Sequence, residues 1–391
     1  MKGLIEDFDK FTEYLVSNEV TISKKNNFIS PKFLFELNEL MSNKQENITA
    51  KKTQLAYPFL HLLYNLIISG KLFRRELIKG GKEVLKPTDR FEAYKSFNSI
   101  EKYITLIEIL WVDCDFEKLR FQSYDHLNPY SVAMMLKYIF GDKGKQGTIP
   151  IHLMEISSSM LLYFSYFGLL EVEVEEGMKK GYESERIFYP SGIKISDIGL
   201  KILNILNNSR ELDQWNIPYK KENGQWKIEF KEEFSEAFKG MFEEAELKKS
   251  LPRKGSEVKQ GIYTFKVYIA KNIWVKMQLD GKHTLDDLHD CIQDAFDFDN
   301  DHMYSFFMDG RPWSNDKFTC PQEDEGPHAD EAKIEELSLT DKQTFVYLFD
   351  YGDEWTFLVE VYSIEEGDSR LLRPQVIETK GKPPKQYADF D

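Results

Sequence analysis

The chain has 391 residues, 41% of them hydrophobic and 30% charged, which excludes a wholly disordered or collagen-like protein and allows about two to three domains. Three widely separated cysteines (Cys114, Cys291, Cys320) and the lack of any C-x-x-C pair exclude a disulfide framework and a zinc ribbon. The net charge of −15 is uneven: residues 1–210 hold 28 Lys+Arg against 27 Asp+Glu, and residues 211–391 hold 23 against 39. An acidic C-terminal half repels a phosphate backbone, which argues against a nucleic-acid surface there. No apolar run reaches the length of a membrane span, and the acidic start is unlike a signal peptide. The expectation is a soluble cytoplasmic protein with no membrane partner.

The first 80 residues read as helices. Leu4, Phe8, Phe11 and Leu15 recur at helical spacing. Ser30-Pro31 opens a second helix, and Leu55–Ile68 is apolar nearly all round, ending at Gly70. Gly80-Gly81 and Pro87 mark a break. Thr88 then caps a short helix through Phe97, and Ser99 caps another over Ile100–Trp111.

Residues 100–208 hold two further helical stretches, Pro129–Phe140 and Pro150–Phe167. An alternating strand follows (Leu169–Val174), then a polar loop, a second strand (Arg186–Tyr189), and a closing helix with Ser196 as N-cap. This order resembles a winged helix-turn-helix, and Ile-Ser-Asp-Ile-Gly-Leu-Lys-Ile-Leu resembles the helix that follows a wing. The candidate recognition helix, Ile151–Phe167, carries no Lys or Arg, whereas groove-reading helices bring basic or amide side chains to base edges. The wing offers Lys179, Lys180 and Arg186 as nucleic-acid contacts, diluted by four glutamates. A scaffold or interaction role is therefore favoured over direct DNA reading. Residues 211–260 read as a connector, with a short strand at Trp226–Phe230, an acidic amphipathic helix at Phe234–Leu247, and a Pro/Gly-containing stretch from Leu251 as the best domain boundary.

From Gly261 the pattern becomes strands. Tyr263–Ile269 and Ile273–Leu279 alternate as a hairpin. Thr284-Leu285-Asp286-Asp287 forms a capping box ahead of a helix with the face Leu285, Leu288, Ile292 and Phe296. Met303–Met308, Thr344–Phe349, Trp355–Val361 and Pro374–Glu378 add strands, and the doubly apolar run Phe345–Phe349 belongs in the middle of a sheet. The order implies an α+β roll, ββα plus further strands, after a mainly helical N-terminal region. The expected units are 1–87 (helical), 88–210 (winged-helix-like), 211–260 (connector) and 261–391 (α+β).

Four stretches of this last unit carry a family resemblance: YTFKVYI…IWVKMQL, HTLDDLHDCIQDAFDFDNDHMYSFFMDG, FVYLFDYGDEWTFLVEV and PQVIETKGKPPKQY. Together they resemble the plasmid pRiA4b ORF-3-like family, found on plasmids and mobile elements and in many bacterial and archaeal genomes. The resemblance implies an α+β roll more than an activity. Phe349 stands where the family has Tyr, and Pro383-Pro384-Lys385-Gln386-Tyr387 replaces an acidic, glycine-rich ending.

His289, His302, Asp350 and Asp353 are the candidate metal ligands, since imidazole and carboxylate suit zinc, manganese or iron. The competing reading makes the histidines hydrogen-bonded packing residues and the aspartates turn residues. Trp313 and Trp355, next to turns, are candidates to line a groove. No nucleotide-binding or nucleophile-elbow motif occurs, and the sequence requires no cofactor. The favoured expectation is a noncatalytic interaction or regulatory protein with a protein partner. The alternatives are a metal-dependent enzyme built on the His/Asp set and a DNA-binding regulator.

Overall fold

The computed structural model describes residues 2–23, 26–78, 82–123, 125–141, 148–151, 157–174, 188–243, 246–253, 259–368 and 371–387. Its class is α+β, with the helices gathered N-terminally and one large sheet at the C-terminal end.

Helices α1 (Lys2–Ser17), α2 (Pro31–Leu40) and α3 (Pro58–Ser69) lie where the apolar periodicity puts them. The all-helical expectation then fails. A hairpin of β1 (Phe73–Ile78) and β2 (Lys82–Pro87) follows α3. Its charged residues (Arg74, Arg75, Glu76 and Lys82, Glu83, Lys86) hid the strand pattern, since the partly buried sites accept polar groups that find partners elsewhere. Next come α4 (Asp89–Lys95) and α5 (Ser99–Glu108), the latter continued by a π-turn at Ile109–Asp113. Ser99 does not cap α5. Asn98 does, through a capping box with Glu101, because its side chain reaches the N–H groups of both Ile100 and Glu101.

The segment expected to hold a winged helix contains α6 (Phe116–Leu119), α7 (Pro129–Phe140), β3 (Ile149–Pro150), α8 (Ser158–Tyr166), β4 (Leu170–Val174), β5 (Pro190–Ile195) and α9 (Asp197–Asn208). The strands form a three-stranded sheet in the order β3-β5-β4. Two boundaries differ from expectation. The second helix begins at Ser158 rather than Pro150, which is strand. The strand that pairs with β4 is Pro190–Ile195, disguised by Pro190 at its first position and by Gly192, while the first half of the strand expected at Arg186–Tyr189 lies outside the described residues. Lys179, Lys180 and Arg186 lie outside the described residues.

In the connector, α10 (Leu212–Trp215) and α11 (Ile217–Glu222) precede a 3-10 helix at Phe234–Met241, and Trp226–Phe230 forms no strand. Trp215 stacks on Phe230 with ring centroids 4.6 Å apart, so this stretch is spent on packing. Arg253 reaches Glu108 at 2.6 Å and Asp113 at 2.7 Å, pinning the end of the connector to the helical body.

The roll consists of β6 (Gly261–Ala270), β7 (Ile273–Asp280), α12 (Leu285–Phe296), β8 (Tyr304–Phe307), β9 (Lys317–Thr319), β10 (Thr344–Phe349), β11 (Trp355–Glu366) and β12 (Gln375–Lys380). The strands form one sheet in the order β12-β7-β6-β11-β10-β8-β9, and every pairing is antiparallel. The capping box Thr284–Asp287 is present. Alternation divides the sheet in two. Tyr263, Phe265, Val267, Met277, Phe306, Phe345, Tyr347, Phe357 and Val359 form the buried core against α12. The opposite face carries Lys266, Tyr268, Trp274, Leu358, Val346 and Phe307.

Candidate functional site

The opposite face of the sheet is the floor of a cleft of about 1550 Å³. Its cross-strand register sets Trp274 beside Tyr268, Tyr268 beside Leu358, Leu358 beside Val346, and Val346 beside Phe307. This aromatic-to-aliphatic row crosses five neighbouring strands, its first four members lining the cleft and Phe307 buried beyond its edge. The walls come from the N-terminal region: the β1–β2 hairpin (Leu77, Lys82), the loop before α3 (Ile48, Lys52) and the segment after α6 (Arg120, Phe121).

One loop of the roll, Asp309–Asp316, closes the end of the cleft and joins the two halves. Gly310 has φ +70, and a Cβ there would meet Arg75 Nη1 at 2.8 Å, so any other residue is both strained and crowded. The Gly310 carbonyl accepts from Arg75 Nη1 (2.9 Å) and Asn27 Nδ2 (3.1 Å). Arg311 is buried, pairs with Asp309 (2.5 Å) and donates to Asn65 Oδ1 (2.7 Å). Lys118 donates to the Pro312 carbonyl (3.2 Å), and the Asp115 carboxylate accepts from the Asn315 N–H (3.0 Å).

The cleft is lined by seven Lys and Arg side chains against five Glu. The two signs differ in how they are used. Glu360 accepts from Tyr268 Oη (2.9 Å), Glu83 from Thr344 Oγ1 (3.0 Å) and Glu354 from Trp313 Nε1 (3.2 Å), and Glu46 pairs with Lys44 (3.7 Å). Lys52, Lys82, Arg120, Lys266 and Lys271 make no ion pair among the described residues. Lys266 instead lies 3.7 Å from the centroid of the Trp274 ring. Burial, then repulsion from Lys276, hold its ammonium below the ordinary lysine range.

The residues singled out as metal ligands do not form one group. His289 is buried on α12, stacked on Tyr304 with ring centroids 3.7 Å apart. Asn300 Nδ2 donates to Asp290 Oδ1 (3.2 Å), which turns Asn300 Oδ1 toward His289 Nε2 (2.8 Å). An amide oxygen only accepts, so Nε2 carries the proton and Nδ1 accepts from Tyr347 Oη (2.7 Å). Gln293 Nε2 donates to that same Tyr347 oxygen (2.7 Å). Both ring nitrogens are thus taken, and burial pushes the imidazole pKa down to about 4.

His302, by contrast, stands at the surface. Its Nε2 lies 3.5 Å from Asp350 Oδ2, 3.6 Å from Asp301 Oδ1 and 3.4 Å from Tyr387 Oη. Asp350, in the left-handed region at φ 58, accepts the Gly352 N–H (2.9 Å) and the Asp353 N–H (3.3 Å), as an aspartate at a glycine turn does. His302 and Asp350 are therefore together, and Asp353 enters only through its backbone. No group of three or more His, Cys, Asp or Glu suited to a metal ion occurs among the described residues.

Of the two groove-lining tryptophans, Trp313 lines the cleft and is 48% exposed. Trp355 does not line it. It packs edge-on against Phe298 at 5.0 Å, because odd-numbered residues of β11 face α12. Sequence reasoning missed Lys266, Tyr268, Trp274 and Leu358 as cleft residues. The signal available was the polar-face alternation of β6 and β7, which looked like ordinary solvated strand.

An α+β domain with one sheet, one principal helix and a face left open toward the N-terminal region is the class these features define. Residues 262–388 match the model of the plasmid pRiA4b ORF-3-like protein family. A crystal structure of a protein of unknown function, MM3350 from Methanosarcina mazei Go1, is similar at 25% identity over 31% of this chain and 69% of that one, with a TM-score of 0.26. None of the curated proteins compared with the chain matches it. No helix among the described residues is long and apolar enough to cross a membrane.

Proposed function

We propose that the chain is a noncatalytic interaction protein that receives a segment of a partner protein in the cleft between its N-terminal region and the roll. The observation that carries this reading is the cleft itself. At about 1550 Å³ it exceeds the usual 300–1,000 Å³ of a small-molecule pocket, and its floor is an apolar row that the chain leaves open to a ligand. The junction made by Arg311, Arg75 and Asn65 holds the two walls in place before binding, which lowers the ordering cost of association.

Two features weigh against DNA reading by the winged-helix-like segment. The described part of the candidate recognition helix, α8, buries Ser159, Met160, Leu161, Tyr163 and Phe164. Tyr163 also donates to the Leu119 carbonyl (2.5 Å), which fixes that helix inside the body rather than presenting it to a groove. The metal-enzyme reading would require His289 to give up the hydrogen bond at whichever ring nitrogen took the ion.

The test is occlusion. Ala270 and Thr356 line the cleft and are exposed, so Ala270→Trp with Thr356→Trp obstructs its floor without touching the core. A displayed random-peptide library panned on the full chain should enrich binders that the obstructed variant does not retain. Equal recovery on both proteins would overturn the reading.

A further inference from the structure

Taking the cleft as a peptide site, the charge and ring geometry identify the class of segment it takes. We infer that the partner segment is acidic, with carboxylates interleaved among apolar side chains. This inference rests on the interaction reading above and deepens it.

The first argument is the asymmetry of the charged groups. Four of the five cleft glutamates are already held by Tyr268, Thr344, Trp313 or Lys44. Five of the seven cations have no ion-pair partner among the described residues, and they stand on opposite sides: Lys82, Lys52 and Arg120 on the N-terminal walls, Lys266 and Lys271 on the roll. In a chain of net charge −15, a lined space with a surplus of free cations is a local reversal of sign. Such a reversal favours a complementary anion and disfavours cationic partners.

The second argument separates an acidic peptide from a nucleic acid, which is also anionic. Single-stranded nucleic acid binds by stacking bases on open aromatic faces above a basic groove. On the sheet that forms the floor those faces are occupied, whereas Trp313, at the end of the cleft, is half exposed. Lys266 sits 3.7 Å over Trp274 and 5.0 Å from the Tyr268 centroid, while Lys276 and Lys342 each sit 4.2 Å from the Tyr362 centroid. What remains open on the floor is edge and aliphatic surface, including Leu358. That surface suits Leu, Ile or Val side chains better than a base. A phosphate backbone also brings one charge per nucleotide against an acidic body, whereas a peptide brings only the carboxylates that meet Lys82, Arg120 and Lys271.

The experiment measures fluorescence anisotropy of three labelled probes with the full chain at low salt. The probes are a peptide alternating Glu and Leu, its Lys-for-Glu counterpart, and oligo-dT. The Glu/Leu peptide should bind, and added salt should weaken it. Lys82, Arg120 and Lys271 are exposed, so the triple variant Lys82→Glu, Arg120→Glu, Lys271→Glu should fold normally and lose about tenfold or more in affinity. Binding of the Lys/Leu peptide as tight as that of the Glu/Leu peptide, but lost on obstructing the cleft with the two tryptophans, would overturn the acidic class and leave the interaction reading standing. Oligo-dT bound in the cleft in preference to both peptides would overturn the class and the reading together. Glu/Leu binding indifferent to the triple reversal would overturn the assignment of the site.

Discussion

The two faces of the seven-stranded sheet use polar residues in opposite ways. Against α12, polar groups are buried and closed on one another: Gln293 to Tyr347, Tyr347 to His289, His289 to Asn300, Asn300 to Asp290. Each donor meets an acceptor, so the chain of bonds fixes one packing of helix on sheet. Toward the cleft, lysines lie over aromatic rings or make no ion pair among the described residues, ready to exchange those contacts for others. A closed network holds a fold, and unspent charge on a rigid floor is available for binding. His289, Gln293 and Tyr304, which lie within one of the stretches that carry the family resemblance, belong to the closed face.

The largest effect should come from the junction that sets the cleft walls. Arg311→Ala leaves Asp309 as a buried carboxylate without its ion pair and Asn65 Oδ1 without its donor. Breaking a buried pair by removing one partner costs about 3–5 kcal/mol. Urea unfolding of the full chain should show a loss of that order. A loss below about 1 kcal/mol, the range of an exposed pair, would mean that the two halves are not held here.

Acid should act next. His289 and His61 are both buried and neutral, with burial pushing their pKa values down to about 4 and about 3. In the unfolded chain both titrate near 6.5. The folded pKa lies below the unfolded one, so their contribution is complete above about pH 6.5 and is lost as pH falls toward 4 and below. For His289 the full loss is about 3 kcal/mol. Unfolding midpoints measured from pH 7 to pH 4 should fall, and His289→Gln should flatten part of that slope. An unchanged slope would show that folding does not lower the pKa of His289 and would overturn its assignment as a buried neutral acceptor.

Tyr347→Phe sharpens the same point with one atom. It removes the hydroxyl that donates to His289 Nδ1 and accepts from Gln293 Nε2, leaving two buried groups unpaired. The expected cost is about 1–3 kcal/mol, with the fold retained. Gln293 Oε1 is already buried without a partner, so the substitution adds to a side chain that is only half satisfied.

Much of the roll was legible because its order is written locally. Alternation in Tyr263–Leu279 gave β6 and β7, and the Thr284–Asp287 capping box gave the start of α12. The cleft was not legible, because its floor and walls are some two hundred residues apart and nothing in Lys266 or Trp274 marks the face as covered by Lys82 and Arg120. The β1–β2 hairpin was hidden for a related reason. Arg75 sits in a strand because its guanidinium finds the Gly310 carbonyl 235 positions away, a partner that no local pattern announces. His289 could be placed at the edge of a helix face, but its state depends on Tyr347 and Asn300, which come from elsewhere in the fold.

The smallest effect on stability, and the one that separates the two faces most cleanly, is expected at Lys266. Its ammonium is held over Trp274 at 3.7 Å, an interaction worth about 0.5–1 kcal/mol at an exposed site. Burial and Lys276 together disfavour its charge, so removing the charge relieves a cost while removing that attraction. The methylene stem also covers ring surface, and methionine keeps most of that cover. Lys266→Met should therefore shift unfolding free energy by less than about 1 kcal/mol in either direction. The same substitution should weaken the Glu/Leu peptide more than it weakens the fold, because a carboxylate then loses a cation that makes no close ion pair among the described residues. Side-by-side unfolding and anisotropy measurements decide the matter. A stability loss as large as that of Tyr347→Phe, with peptide binding unchanged, would place Lys266 among the structural residues and erase the distinction between the two faces.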